Sequence, residues 1–595
     1  MNQEDIICKN CGTINTSSDR HCQSCGKSLV TVDLVDDVTM VSQKNYPPQN
    51  SSSSHMHGFT VLGGNFKGAK TRKWWFILPS ILLAIIVIFS LFVFGNHLLP
   101  QTIPQLTPTP TPNIPLGIGK DGIGVTLVDG EYIGISDGRY AFDANQPLML
   151  QASESLRNGN PGPALSQWNA AHEKETNNAE PLIYIENQRV LASGSPYITI
   201  VLGRLSLGVN LQAAYLVQKE YNKNSQLAGG KKLRLLIAKS GSNTDRSKDI
   251  ARQVVLAAQH DKTIVGVQGW GNSEATLDVV GIVASAHLPI VASDAASNDL
   301  TGISPYFFRV GVSSAVNAPL KATYVEKKLA PRHLVIFKDD AEPYSRDSAA
   351  DFSRQFTQGG YQIASTEDFK TAEDAQDGHL AQHVRDVLTA YKPDFIFMAT
   401  NAVSDVTTVL NTIPATVEYA SLKVFAGSAG YELVRSGEKV PGYTHMLLSS
   451  SAFPDEWSIL APENPEPPFF KDYIAAYDPR NEHISSPYTY RRADAGVMVQ
   501  YDALSVFLVA SKTATQQGMQ DPTPEDIKKA LSQINSSQPF QGITGAIAFG
   551  TDGDPINKVR LILHVVDGGY TRVAAYQGCL LVNSSPCDNT IHILE

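Results

Sequence analysis

The sequence predicts an α/β protein of two lobes, carried behind a small four-cysteine module, one long apolar helix and a short mixed α+β and helical segment. Three observations predict it. From Pro196 onward, short apolar strands alternate with helical stretches over about 400 residues. Trp74 to Phe94 is a run of 21 residues without a charge. Four of the six cysteines fall in the first 25 residues, as two C-x2-C pairs.

Composition bounds the function. The chain has 595 residues, 42 % hydrophobic and 18 % charged, with 44 Gly and 34 Pro. That is globular composition, with room for about four domains. A net charge of −10 argues against a nucleic-acid coat, so no nucleic-acid partner is expected. No H-E-x-x-H, G-x-S-x-G or P-loop is present. No enzymatic activity and no organic cofactor are therefore expected.

The first element is a metal module over residues 1–30. Cys8, Cys11, Cys22 and Cys25 form C-x2-C, ten residues, then C-x2-C, with Gly12 and Gly26 after each pair. Two residues between thiolates let both sulfurs face one tetrahedral ion, and the glycines permit the tight turn this needs. Four thiolates fill zinc's coordination, so the expected zinc is structural. Residues 6–29 resemble the short zinc ribbons at the N-termini of many prokaryotic membrane proteins. That resemblance implies a small folded module, for protein contact and without a reaction.

Residues 31–73 read as a flexible linker, polar and low in complexity at 41–58. Residues 74–94 come next as a transmembrane helix; 21 residues at about 1.5 Å each span a bilayer core of about 30 Å. Lys67, Lys70, Arg72 and Lys73 precede the span, while the next charge downstream is Lys120. The positive-inside rule then places the N-terminus in the cytoplasm and the rest outside, as a single-pass protein of the cell membrane. Residues 1–73 carry +2 and the remainder −12, in keeping with this. The stretch 95–116 ends in Thr-Pro repeats, which favour extended polyproline II and read as a stalk.

Residues 117–192 form a small module. Gly117, Gly119 and Gly122 spell G-x-G-x-x-G, but no strand precedes them, so they read as a turn. Asp-Gly at 129–130 and 137–138 are hairpin signals. Residues 148–191 turn helical and resemble one tetratricopeptide-like unit, with Trp168 and Ala171 as packing positions. One such unit cannot bury its own face, so it is expected to pack on the domain that begins near residue 193.

Residues 193–595 carry the strands YITIVLG, LRLLIAKS, TIVGVQG, LPIVASD, HLVIFKD, FIFMAT, KVFAGS and HMLLSSS. Helical stretches between most of them signal parallel sheets with crossover helices, and the length requires two lobes. Ligands in such sheets bind beyond the carboxyl ends of strands. LPIVASDAASNDLTGISPYFFRV (288–310), KDDAEPYSRDSAADFSRQFTQGGYQI (338–363), YDALSVFLVA (501–510) and FQGITGAIAFGTDGDP (540–555) resemble the leucine/isoleucine/valine-binding protein family, the substrate-binding proteins of ABC transporters. The last segment matches the family's terminal signature through Gly542, Gly545, Phe549, Gly553 and Asp554.

The resemblance implies a two-lobed type I periplasmic-binding, or Venus-flytrap, fold closing on a small-molecule ligand. By position it implies ligand contacts from Ser273, from the loop Asp294, Ala295 and Ala296 with Ser297 beside it, and from Tyr344 and Asn401. The family's hydroxyl position is Ala296 here, and the acid that binds a ligand ammonium is replaced by Ala429. Asp294 stands either as a substitute for that acid or as a cap of the following turn. Ser273 stands as ligand contact, N-cap or both, and Tyr344 as ligand contact or rim packing. Two functions are consistent with this: capture of a small polar, amino-acid-like ligand for an ABC permease, or ligand sensing through a signalling partner of the zinc ribbon.

Cys579 and Cys587 are the two cysteines on the outer side, separated by LLVNSSP, and are expected to form a disulfide, two free thiols being the alternative. The zinc expectation is directly measurable. A peptide of residues 1–40 should bind about one zinc per chain and fold on its addition. A peptide equally folded in chelator would contradict the site.

Overall fold

In the computed structural model of the chain, the residues described are 5–7, 14–16 and most of 115–594. The chain divides into two compact units, Met1–Gln105 and Leu106–Glu595. In the first, β1 (Asp5–Ile7) and β2 (Ile14–Thr16) pair antiparallel, with Asp5 opposite Thr16. Cys8, Cys11, Cys22 and Cys25 and the predicted span 74–94 lie outside the described residues. Among the described residues, no helix is long and apolar enough to cross a membrane.

The second unit opens with β3 (Gly117–Ile118), β4 (Gly124–Val128) and β5 (Glu131–Ser136). β4 and β5 form a hairpin across Asp129 and Gly130, both at positive φ, as a two-residue turn of this hand demands. The second Asp-Gly makes no hairpin. There the chain leaves the sheet, with Asp137 paired to Arg139 and Arg234 and Gly138 passing over Trp168. Helices Pro147–Arg157, Pro161–Lys174 and Glu180–Ala192 come next. Trp168 is fully buried, its ring 5.5 Å from that of Tyr184.

β6 (Tyr197–Arg204), β7 (Lys232–Lys239), β8 (Ile264–Gln268), β9 (Ile290–Ala292) and β10 (Phe307–Arg309) form the parallel part of lobe one. The sheet order is β10-β9-β8-β6-β7-β5-β4-β3, with β5 antiparallel to β7. The segment 117–136 is thus built into lobe one as three added strands. Lobe two holds β11 (Leu334–Lys338), β12 (Ile363–Asp368), β13 (Phe395–Met398), β14 (Lys423–Phe425) and β15 (Met446–Ser450). A small hairpin, β16 (Phe540–Gly542) and β17 (Gly545–Ile547), precedes β18 (Arg560–Val565), β19 (Thr571–Gln577) and β20 (His592–Ile593), which complete the sheet β12-β11-β13-β14-β15-β18-β19-β20. The central parallel strands are buried along nearly their whole length, because helices cover both sheet faces.

The chain crosses between lobes three times: after β10, between β15 and the helix Ala495–Gln516, and between β17 and β18. Two signature glycines are explained at these crossings. A Cβ at Gly553 would lie 2.1 Å from the Phe307 carbonyl oxygen, and φ there is +80°. A Cβ at Gly542 would strike the buried carboxylate of Asp502, which accepts the backbone N–H of Ile543 and Thr544. Cys579 is disulfide-bonded, while its expected partner Cys587 lies outside the described residues.

Asp554, in the third crossing, accepts two hydrogen bonds of 2.6 Å from the guanidinium of Arg309, which is fully buried. Removing one partner of such a pair strands the other charge out of water. Asp554→Ala should therefore lower unfolding free energy by about 3–5 kcal/mol. Urea unfolding measures it, and a loss below about 1 kcal/mol would refute the assigned weight.

Candidate functional site

The loops past the strand ends of both sheets line one cleft of about 360 Å³ between the lobes. Lobe one contributes Arg204 at the end of β6, Ser273 after β8, and Ser293 and Asp294 after β9. The N-terminus of the helix Ala495–Gln516 adds Asp494 and Gln500. Lobe two contributes Tyr344, Asn401 after β13, Ala429 and Glu432 after β14, and Ser449 to Ser451 at and just past the end of β15.

Five predicted residues come together here: Ser273, Asp294, Ala296, Tyr344 and Asn401. Ser273 Oγ accepts the backbone N–H of Ala296 and Ser297, both at 3.0 Å, and so ties the first ligand loop to the next. It is not the N-cap of its helix. That role falls to Asn272, whose Oδ1 accepts from Ala275 N at 2.8 Å. The other two predicted residues do not reach the cleft. Ala295 is buried in the core of lobe one. Ser297 is fully buried, donates to Asp347 at 2.6 Å and caps the turn Asn298–Leu300. The expected Asp294 cap is thus supplied by Ser297, because no helical turn begins at Ala295.

Asp294 is open to water inside the cleft yet enclosed by protein on its other sides. That enclosure, and then the nearby charges of Glu432 and Asp494, push its carboxyl up to about 7. Burial raises the Tyr344 hydroxyl above its ordinary value, with Asp294 and Glu342 adding to the rise. Asn401 donates through Nδ2 to Glu342 at 3.2 Å. Glu342 caps the helix Pro343–Gln358 by accepting from Ser345 N, and burial pushes its carboxyl up to about 7.

Three charged residues of the cleft escaped the sequence reading. Arg204 ends the first strand of the parallel set, a visible signal in YITIVLGR. Burial pushes its pKa down to about 9, and its donors go to the carbonyls of Gly203, Asn210 and Gln268 and to the Gln268 side chain. Glu432 lies three residues after Ala429, one turn along the helix Ala429–Ser436. Asp494 caps the helix Ala495–Gln516 through Val497 N at 2.8 Å.

Beside the cleft, lobe two grips the ligand loop of lobe one. Asp347 accepts from Ser297 Oγ at 2.6 Å and from Asn298 N at 2.7 Å. Asn298 Nδ2 donates to Asp351 at 2.7 Å, and Arg346 pairs with Asp299 at 2.6 Å. All three lobe-two groups sit on the helix that carries Tyr344.

The raised Asp294 carboxyl has a signed consequence. Its folded pKa of about 7 exceeds the unfolded value near 3.8, so its favourable contribution is full below pH 4 and is lost as pH rises to 7. Asp294→Asn should therefore gain in melting temperature over the parent as pH rises from 4.5 to 7.5, with the gap levelling above. A pH-independent gap in thermal melts would contradict the assignment.

The sequence profile described as periplasmic binding protein matches residues 206–569. No curated protein sequence matches the chain significantly. Among solved structures, a leucine binding protein from Thermotoga maritima superposes with a TM-score of 0.50 at 17 % identity, over 64 % of this chain and 98 % of the other. A branched-chain amino acid transporter substrate binding protein from Streptococcus pneumoniae, in complex with isoleucine, gives 0.50 at 18 %, over 63 % and 99 %. An ABC transporter solute binding protein from R. palustris, in complex with 4-hydroxybenzoate, gives 0.50 at 16 %, over 64 % and 98 %. These likenesses bear on the fold, and the profile match bears on descent: the chain belongs to the periplasmic binding protein family.

Proposed function

We propose that the chain is a membrane-anchored, extracytoplasmic solute-binding protein that captures a small polar, amino-acid-like ligand for an ABC-type importer. One observation carries this. Polar groups past the strand ends of both sheets converge on a single cleft of about 360 Å³, the lower end of the range for small-molecule sites. Contact from both sides makes closure favourable, because both sets of interactions form together only around a bound ligand. The anchor is the uncharged run 74–94 with its basic cytoplasmic flank. Leucine and isoleucine in the names of distant relatives agree with the ligand class. The cleft residues are assigned to binding, with no bond made or broken.

A second reading is sensing. The four cysteines before the span favour it, since delivery needs no cytoplasmic module. Co-purification with a permease supports transport, and co-purification with a signalling protein supports sensing.

Native mass spectrometry of the full chain, purified in detergent, should reveal a co-purified small molecule. Tyr344→Ala should weaken binding of that molecule by about 1–3 kcal/mol, roughly 5- to 150-fold, with an unchanged melting temperature. Unchanged affinity by calorimetry would mean that the cleft is not the site.

A further inference from the structure

A second pocket shares no lining residue with the cleft. Its volume is about 480 Å³, within the range of small-molecule sites. Its walls are the helix Gln212–Asn224, the start of the helix Pro468–Tyr477, the helix Ala495–Gln516 and the hairpin that begins with β16. Four aromatic residues line it: Tyr221, Phe469, Tyr501 and Phe540. The rings of Phe469 and Tyr501 meet edge to face at 4.9 Å. Leu508 and Val509 add an aliphatic wall.

The charges of this lining have partners already. Glu220 accepts from the Tyr501 hydroxyl at 2.6 Å, and Asp502 accepts from the backbone of Ile543 and Thr544. Lys512 has a partner of its own. Among the neutral groups, Gln541 bonds to the backbone of Gly542, Leu580 and Val582. Tyr221 is the exception. It is 7 % exposed, and its hydroxyl is buried without a hydrogen-bond partner. A buried hydroxyl left unpaired is costly, and a ligand with one hydrogen-bonding group supplies what it lacks. Aromatic walls favour an aromatic occupant, because ring pairs gain more than the burial of their area. Pro467 and Phe469 lie in the second crossing between the lobes, and β16 leads into the third. An occupant therefore touches two of the three segments that join the lobes.

We infer that this pocket is a second small-molecule site, for a neutral aromatic ligand of one or two rings whose single hydrogen-bonding group meets Tyr221. The inference goes beyond the cleft reading and does not depend on it.

Fluorine NMR of the full chain in detergent, with empty micelles as reference, tests it. The probe 6-fluoro-2-naphthol should bind saturably. The analogue 2-fluoronaphthalene, which lacks the hydroxyl, should bind about fivefold more weakly. Tyr221→Phe should weaken the naphthol by about fivefold. It should cost nothing in melting temperature, since the hydroxyl it deletes has no partner. Leu508→Trp and Val509→Trp fill the pocket, and each should abolish binding at the parent's melting temperature. If either fails to fold, the other and Tyr221→Phe still decide. Absence of saturable binding would overturn the inference. So would equal affinity for the two probes, or indifference of the naphthol to Tyr221→Phe. A naphthol bound as tightly by a folded tryptophan variant would place the probe elsewhere on the chain and overturn it too.

Discussion

The guanidinium of Arg309 is the point on which the binding architecture turns. All five of its N–H groups are spent. Two reach the Asp554 carboxylate at 2.6 Å, one reaches Thr301 Oγ1 at 2.7 Å, and two hold the carbonyls of Ala295 and Ser297 at 2.9 and 2.7 Å. A buried charge is tolerable only when so fully satisfied. The bonds join the end of β10, the ligand loop after β9 and the crossing that returns the chain to lobe two. The same loop is held from one side by Ser273 and from the other by Asp347. Asp347 lies one turn from Tyr344, so the loop that carries Asp294 and the helix that carries Tyr344 are linked by a continuous set of hydrogen bonds.

What was legible in the sequence was whatever is local. Apolar strands buried on both faces announced parallel sheets. The glycines of the terminal signature were readable because backbone crossings leave no room for a Cβ, as Gly553 and Gly542 show. Ser273, Asp294, Tyr344 and Asn401 were found through the family resemblance, and each lies in a loop past an apolar strand. What was hidden depends on distant partners or on direction. The pairing of β5 with β7 joins segments about 100 residues apart, and nothing in the period of either strand reports it. Ala295 and Ser297 flank the cleft in sequence but turn inward, because the Arg309 and Asp347 bonds set the loop's orientation. Asp347 and Asp351 gain their role only from Ser297 and Asn298, about 50 residues earlier in the chain, which the spacing of their own helix does not report.

The position where the resembled family carries an acid is Ala429 in this chain, and the structure places another acid near it. Ala429 lines the cleft, and so does Glu432, three residues or about 4.5 Å further along the same helix. From there Glu432 bears on Asp294 across the cleft. Reading the motif position by position finds the alanine and misses the glutamate, because helical neighbours in space are three or four residues apart in sequence.

Opposing electrostatic contacts meet where the two lobes face one another. On the helix that carries Tyr344, Asp347 and Asp351 accept hydrogen bonds from lobe one, and Arg346 pairs with Asp299. These contacts draw the lobes together. In and beside the cleft the sign reverses. The charge of Glu432 of lobe two raises the Asp294 carboxyl of lobe one, and beside the cleft Glu274 of lobe one acts likewise on Glu342 of lobe two. Like charges facing across a gap cost more as the gap narrows and water leaves. The boundary between the lobes thus carries both kinds of contact at once: the bonds to Asp347 and Asp351 fix the register of the ligand loop against the helix of Tyr344, while the acids that face one another beside them raise each other's pKa instead of adding attraction.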